Sequence, residues 1–438
     1  MGQLLRGLFW VTVYAFVIVA PLLVARVGPQ RDGQGFVTDF SVALGFVALA
    51  IMILQFGLVA RLQRIAAPFG LDALVQYHRQ IGFVALSFAL VHPALVFLND
   101  PAKLALLDFP HAPNRARFAV SSVLALLVLV ATSIWRKRLR LGYEVWQLLH
   151  ALLAVAVVSF GLAHMAGVFY YAASPWQQIL WMALAAFVVG DLLWVRILKP
   201  LSLRRKPWVV DEVIAERGES FTVMLRPEGH EGMRFEPGQF AWLFLDQSAF
   251  SPSAHPFSLS SSAEHPERIG FTIKARGDFT SKVGAIAAGT RAYVDGPYGL
   301  FTSDQNEGFG FVFIAGGVGI TPIVSMLRTM ADREDRRPCV LIYGSKDWES
   351  VILRDDLSAL KEKLSLTIVH VLERADEDWQ GERGFIDLPL LKRHLPRRFE
   401  RYRYFVCGPT PMMDAMEKAL VLAGVPDEHV QTERFDMV

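Results

Sequence analysis

The chain has 438 residues, 53% of them hydrophobic and 20% charged, with a formal net charge of +2. That length implies more than one domain, and so balanced a charge gives no argument for a nucleic-acid partner. Two cysteines exclude a disulfide framework and a cysteine-held iron–sulfur cluster, which needs about four thiolates.

The mean hydropathy of +0.33 is high for a water-soluble chain, and the excess lies before about residue 200. Six apolar runs stand there, near 8–27, 40–60, 78–98, 118–135, 144–168 and 176–198. Each is long enough to cross about 30 Å of hydrocarbon as a helix. The first follows Arg6; it is longer than a signal-peptide core and has no clear cleavage site, so it reads as an uncleaved span. Basic residues follow the second span (Arg61, Arg64), the fourth (Arg136, Lys137, Arg138, Arg140) and the sixth (Lys199, Arg204, Arg205, Lys206). The opposite loops hold only Arg31, Lys103, Arg115 and Arg117. The positive-inside rule then places both termini in the cytoplasm and makes spans three and five parallel.

Those two spans carry matched histidines. His78 and His92 lie on the third and His150 and His164 on the fifth; 92 − 78 = 14 and 164 − 150 = 14. At about 100° per residue, fourteen steps fall about 40° short of four turns, so each pair shares a helix face. The two rings on a helix lie about 21 Å apart along its axis. Ionisable groups in hydrocarbon are costly and mark function. Two parallel helices, each with an inner and an outer imidazole, can hold two stacked haems, the inner between His78 and His150 and the outer between His92 and His164.

Arg204-Arg205-Lys206-Pro207 marks a linker. Short strands follow at 208–214, 220–226, 239–245, 255–261, 269–274 and 291–295, spaced as in a small antiparallel β-barrel. After Gly308 the pattern changes to strands at 309–315, 339–344, 366–372 and 402–407 alternating with helices, which implies a doubly wound parallel sheet. Glycines Gly316, Gly317 and Gly319 join the first of these strands to a helix for which Thr321 suits the N-cap and Pro322 the first turn. Such a junction lets backbone amides approach a phosphate. Cys407-Gly408-Pro409 ends a later strand of the same sheet.

With these pieces in order the chain resembles the membrane NADPH oxidase and ferric reductase superfamily over nearly its whole length. The expected architecture is a multidomain membrane protein. It comprises a six-helix transmembrane bundle (1–200), a small antiparallel FAD-binding β-barrel (201–306) and a doubly wound parallel α/β NAD(P)H-binding domain (307–438). The resemblance implies that His255-Pro256-Phe257-Ser258 holds FAD, with Lys274, Gly277 and Thr280 at its phosphates. It implies a turn at Gly296-Pro297-Tyr298-Gly299 closing the barrel, and a nucleotide pyrophosphate loop at Gly316, Gly317, Gly319 and Thr321. Cys407, Gly408 and Pro409 would lie beside the nicotinamide, and Phe435 of Glu433-Arg434-Phe435 would cover the flavin. Cys407 and Phe435 are thus the residues nearest hydride transfer.

A nicotinamide gives up two electrons as hydride and haem iron takes one, so a flavin must stand between them. The expected cofactors are FAD, two haem b and NADPH. At the end of the second strand of the sheet, Ser345 and Lys346 suit a 2′-phosphate, whereas Asp347 suits the bare ribose of NADH. The acceptor outside the membrane is expected to be oxygen, yielding superoxide. The alternatives are a ferric or other metal chelate, or a quinone or partner protein. No nucleic acid and no obligatory regulatory subunit is expected.

Overall fold

Backbone amides and carbonyls in hydrocarbon have no water to bond, so a long apolar run must satisfy them within a helix. The computed structural model describes residues 2–27, 32–251 and 254–434. Contacts divide the chain into two units, Met1–Lys199 and Pro200–Val438.

The first unit is helical: α1 (Gly2–Val24), α2 (Phe36–Val59), α3 (Gln63–Ala66), α4 (Leu71–Asn99), α5 (Asn114–Ile134), α6 (Tyr143–Val168) and α7 (Pro175–Leu193). A π-turn over Trp194–Leu198 leads to α8 (Lys199–Arg204) at the boundary of the units. Among the described residues six helices are long and apolar enough to cross a membrane. Large apolar side chains stand exposed around them, Leu4, Phe36, Leu98, Leu152 and Met182 among them, a surface suited to lipid and not to water. This is a multi-pass membrane protein.

One difference from the expected spans matters. α4 begins at Leu71 and not near residue 78, because the mixed-polarity turns from Leu71 to Tyr77 stay helical beyond the apolar run. His78 therefore lies two turns inside the helix, where its ring direction is set. α4 also continues without a break through Pro93, since neighbouring groups in a bundle can take up what a proline releases. The tightest helix pairs are α2 with α4 and α5 with α6, and α4 and α6 make almost no close backbone contact with each other.

The second unit opens with β1 (Trp208–Glu216), β2 (Ser220–Pro227), β3 (Phe240–Leu245), β4 (His255–Ser258), β5 (Ile269–Lys274) and β6 (Arg291–Tyr298). They form one antiparallel sheet in the order β4-β3-β6-β1-β2-β5. A bridge between Leu259 and Phe271 joins its two edges into the expected barrel. Trp208, Val223, Leu225, Leu243, Phe271 and Ile273 fill the interior.

Next come β7 (Gly310–Gly316), α9 (Ile320–Asp332), β8 (Cys339–Ser345), α10 (Arg354–Lys363), β9 (Leu366–Leu372), β10 (Glu382–Arg383), α11 (Leu388–His394), β11 (Tyr402–Cys407), α12 (Thr410–Leu422) and β12 (Val430–Glu433). The sheet is parallel, ordered β10-β9-β8-β7-β11-β12. β7 alternates its faces: Phe311, Phe313 and Ala315 pack with α9 and α10, while Val312 and Ile314 pack with α11 and α12. The edge strands β10 and β12 went unforeseen, because two polar residues and four of mixed polarity carry no strand periodicity.

α9 is pinned to the barrel. Ser325 Oγ donates to the Ser261 carbonyl at 2.8 Å, and Arg328 Nη1 donates to the Ser260 carbonyl at 2.7 Å. The two sheets thus form one body around the junction that follows β7.

Candidate functional site

The histidines of α4 and α6 meet in two rungs. The rings of His78 and His150 are 6.2 Å apart, centre to centre, and those of His92 and His164 are 6.4 Å apart. A metal–imidazole bond of about 2.0–2.1 Å, with the nitrogen about 1.1 Å from its ring centre, sets two imidazoles on opposite sides of one metal ion about 6.3 Å apart. Both rungs have that width, and the backbones of α4 and α6 stay apart along them.

Hydrogen bonds fix which nitrogen faces that space. His92 Nδ1 donates to the Ser41 carbonyl at 2.8 Å, and His164 Nδ1 donates to the Arg115 carbonyl at 2.8 Å. A carbonyl only accepts, so each Nδ1 carries the proton and each Nε2 keeps a lone pair. Ser133 Oγ spends its proton on the Leu129 carbonyl at 2.7 Å and so accepts from His150 Nδ1 at 3.1 Å. His78 Nδ1 is buried and has no partner among the described residues. No hydrogen bond reaches the Nε2 of any of the four among the described residues. Three of the four are thus oriented as metal-bound histidines are, with the second ring nitrogen tied to a carbonyl or hydroxyl. Haem therefore fits both rungs. The sequence reading missed Ser41, Ser133 and the Arg115 carbonyl, because contacts between helices leave no mark on hydropathy.

In the barrel, β4 pairs with β3 so that Ser258 lies opposite Phe240 and His255 opposite Leu243. The His255 ring stacks on Phe279 with centres 4.2 Å apart, and Phe257 lies 6.2 Å from Phe279. Ser258 is buried, and its hydroxyl has no partner among the described residues. An orphan hydroxyl beside an aromatic wall fits a flavin. Lys274 ends β5. Thr280 Oγ1 accepts from the amides of Arg276 and Gly277, both at 2.9 Å, so it braces the Gly277 turn from within. The turn Gly296-Pro297 is cis, and Tyr298 Oη donates to the buried Asp295 carboxylate at 2.7 Å.

The nucleotide junction is crowded on one side and open on the other. A side chain on Gly319 would overlap the Cys407 carbonyl, and one on Gly408 would stand 3.1 Å from the Gly316 amide. Gly317 has φ +54 with nothing within 4 Å of its missing methyl. Gly316, Gly317, Gly319, Cys407 and Gly408 are thus brought together, with Pro409 N-terminal to α12. The open side suits a pyrophosphate held by backbone amides. Thr321 is not the N-cap: α9 starts at Ile320 after Gly319, and Thr321 Oγ1 donates back to the Val318 carbonyl at 3.0 Å. Three glycines wind the junction into a short 3₁₀ turn, which brings the helix start forward.

The strand register aligns His370, Tyr343, Ala315, Cys407 and Glu433 across the carboxyl ends of the sheet. That edge is where open parallel sheets bind ligands. Ser345 is buried at the end of β8 and Lys346 is exposed just beyond it. Asp347 Oδ1 accepts from the Ser350 amide at 2.8 Å and so caps the next turn. Glu433 is buried, its Oε1 3.6 Å from where a methyl on Gly299 would stand, so β12 reaches the barrel's closing turn. Phe435 lies outside the described residues.

The pieces match known families. Residues 44–161 match the ferric reductase like transmembrane component, 218–302 an FAD-binding domain and 313–418 the oxidoreductase NAD-binding domain. The ferredoxin reductase component of the 3-ketosteroid-9-alpha-monooxygenase of Mycolicibacterium smegmatis is 35% identical over 236 residues, 52% of this chain and 63% of that protein. NADH-cytochrome b5 reductase 1 of Lodderomyces elongisporus is 33% identical over 183 residues, 41% of this chain and 61% of that protein. The chain thus spans less than two thirds of either relative. Among solved structures, a ferredoxin reductase in carbazole 1,9a-dioxygenase aligns with a TM-score of 0.47 at 26% identity, over 52% of this chain and 69% of that one. In content and order of domains the chain matches a ferric-reductase-like transmembrane component followed by FAD-binding and NAD-binding oxidoreductase domains, the arrangement of a ferric-reductase-like or NADPH oxidase-type fusion.

Proposed function

We propose that this chain is a transmembrane flavocytochrome b oxidoreductase of the cell's inner membrane, with both termini cytoplasmic. It moves electrons from cytosolic NADPH to oxygen on the outer face, giving superoxide. Residues 1–200 form the haem-carrying domain, 201–306 the FAD domain and 307–438 the NAD(P)H domain. When bound, FAD takes the hydride pair and gives it up singly, and two haems b carry single electrons across the hydrocarbon.

The chain's own residues hold and insulate these groups. His78 and His150 clasp the inner haem, and His92 and His164 the outer. His255, Pro256, Phe257 and Ser258 seat the flavin, with Lys274, Gly277 and Thr280 around its phosphates and Phe435 over its face. Gly316, Gly317, Gly319 and Thr321 form the pyrophosphate turn, and Cys407, Gly408 and Pro409 border the nicotinamide. Ser345 and Lys346 receive the 2′-phosphate. The commitment of the Asp347 carboxylate to a turn removes the acid that a bare ribose would want, which supports NADPH over NADH.

The observation that carries the reading is the pair of 6.2 and 6.4 Å histidine rungs. A second reading, reduction of a ferric chelate, draws on the match of 44–161 to a ferric reductase like component. The test is to add NADPH anaerobically to the purified protein, watch the haem bands, then admit oxygen. Fast reoxidation with superoxide that dismutase removes supports the oxidase. Reduced haem that oxygen reoxidises slowly, and a ferric chelate quickly, favours the reductase. A protein with no haem spectrum refutes both.

A further inference from the structure

α2 carries two polar side chains at the separation of the histidines on the helix beside it: 55 − 41 = 14, and 92 − 78 = 14. Ser41 sits against His92 and Gln55 against His78, as antiparallel helices require. Ser41 is fully buried, and its hydroxyl donates to the His92 carbonyl at 3.0 Å while its own carbonyl receives His92 Nδ1 at 2.8 Å. Gln55 Nε2 donates to the His78 carbonyl at 3.1 Å. One turn beyond Ser41, Gly45 lacks a methyl that would stand 3.3 Å from Cγ and Nδ1 of His92, so the ring lies against the α2 backbone.

Hydrogen bonds between helices in a bilayer contribute only modestly to stability. Any carbonyl along α4 would return as much stability. The two described α2 side chains that reach α4 carbonyls both take a histidine's. A single contact would leave α4 free to turn or slide; two contacts four turns apart fix its rotation and its depth.

We propose that Ser41 and Gln55 are positioning residues that hold both histidines of α4 toward α6, each setting the ligand geometry of one haem. The proposal rests on the bis-histidine reading above. The test uses the full-length protein purified with its haems, carrying Ser41→Ala, Gly45→Ala or Gln55→Leu, with haem per FAD and the low-temperature EPR of the ferric haems as readouts. Ser41→Ala and Gly45→Ala are expected to shift the low-spin signal of one haem and lower its occupancy. Gln55→Leu is expected to shift the other. Ser41→Thr, which keeps the hydroxyl, restores the parent signal. Gln55→Met, with similar volume and no donor, stands in if Gln55→Leu does not fold, as judged by its elution profile and FAD content. Two normal low-spin haems in every variant would overturn the proposal and leave the bis-histidine reading intact. Equal perturbation of both signals by each variant would mean general loosening of the bundle and would also overturn it. A parent protein without low-spin haem signals sinks both.

Discussion

At the scale of single residues, the second unit carries groups whose protonation and pairing are set by burial. His370 on β9 is packed edge-on against Trp348, with ring centres 5.1 Å apart. Burial, with Arg354 and Lys361 nearby, pushes it down from 6.5 to about 4. The unfolded chain therefore binds a proton between those values that the folded chain refuses, and stability falls as pH falls through that window. At pH 5 the effect is at most about 2 kcal/mol. His370→Gln should show a smaller drop in melting temperature between pH 7 and pH 5 than the parent; an equal drop assigns the acid lability elsewhere. Ser258 offers a second case. Its orphan hydroxyl costs the folded chain, and at the proposed flavin site it would gain a partner only from FAD. Ser258→Ala is expected to weaken FAD binding about tenfold while leaving the flavin-free melting temperature equal or higher. A loss of stability without a loss of affinity would make Ser258 a packing residue. Burial likewise pushes the Cys339 thiol up to about 12, so neutral-pH alkylation should leave it unlabelled until the protein unfolds.

At the scale of elements, the junction between β7 and α9 is held by what its glycines omit. A methyl at Gly319 would overlap the Cys407 carbonyl, part of an adjacent parallel strand that cannot yield without breaking its ladder. Gly319→Ala should cost about 1–3 kcal/mol by overpacking and raise the KM for NADPH about tenfold or more. Gly317→Ala meets no neighbour but holds φ at +54; it should strain the turn and cost less, about 1 kcal/mol. If Gly317→Ala proves the more damaging, its open side is the bound surface and not spare room. The sequence reading recognised this loop from three glycines between a buried strand and a helix. It misjudged Thr321 as the cap because the 3₁₀ turn over Gly317–Gly319 cannot be told from an extended loop by residue type.

At the scale of the whole molecule, the two units divide the work. The helical unit holds the matched histidines, and the second holds the aromatic wall of the barrel and the glycine junction of the sheet. Replacing His78 and His92 by Leu should leave NADPH reduction of a soluble dye on the flavin side unchanged. Reduction of an impermeant acceptor enclosed in vesicles, on the outer face of the inserted protein, should fall to background. Equal loss of both would show that the second unit depends on the first for its fold. The sequence by itself determined the number of spans, the order of domains and the pairing of His78 with His150 and of His92 with His164. Those follow from hydropathy, helical period and loop charge, which are local properties of the chain. Only the tertiary structure decided the width of the rungs, the nitrogen that His92, His150 and His164 present, the orphan at Ser258 and the commitment of Asp347. Each of these depends on what a residue far away in the chain, or around a turn, places within about 3 Å, the range in which hydrogen bonds act.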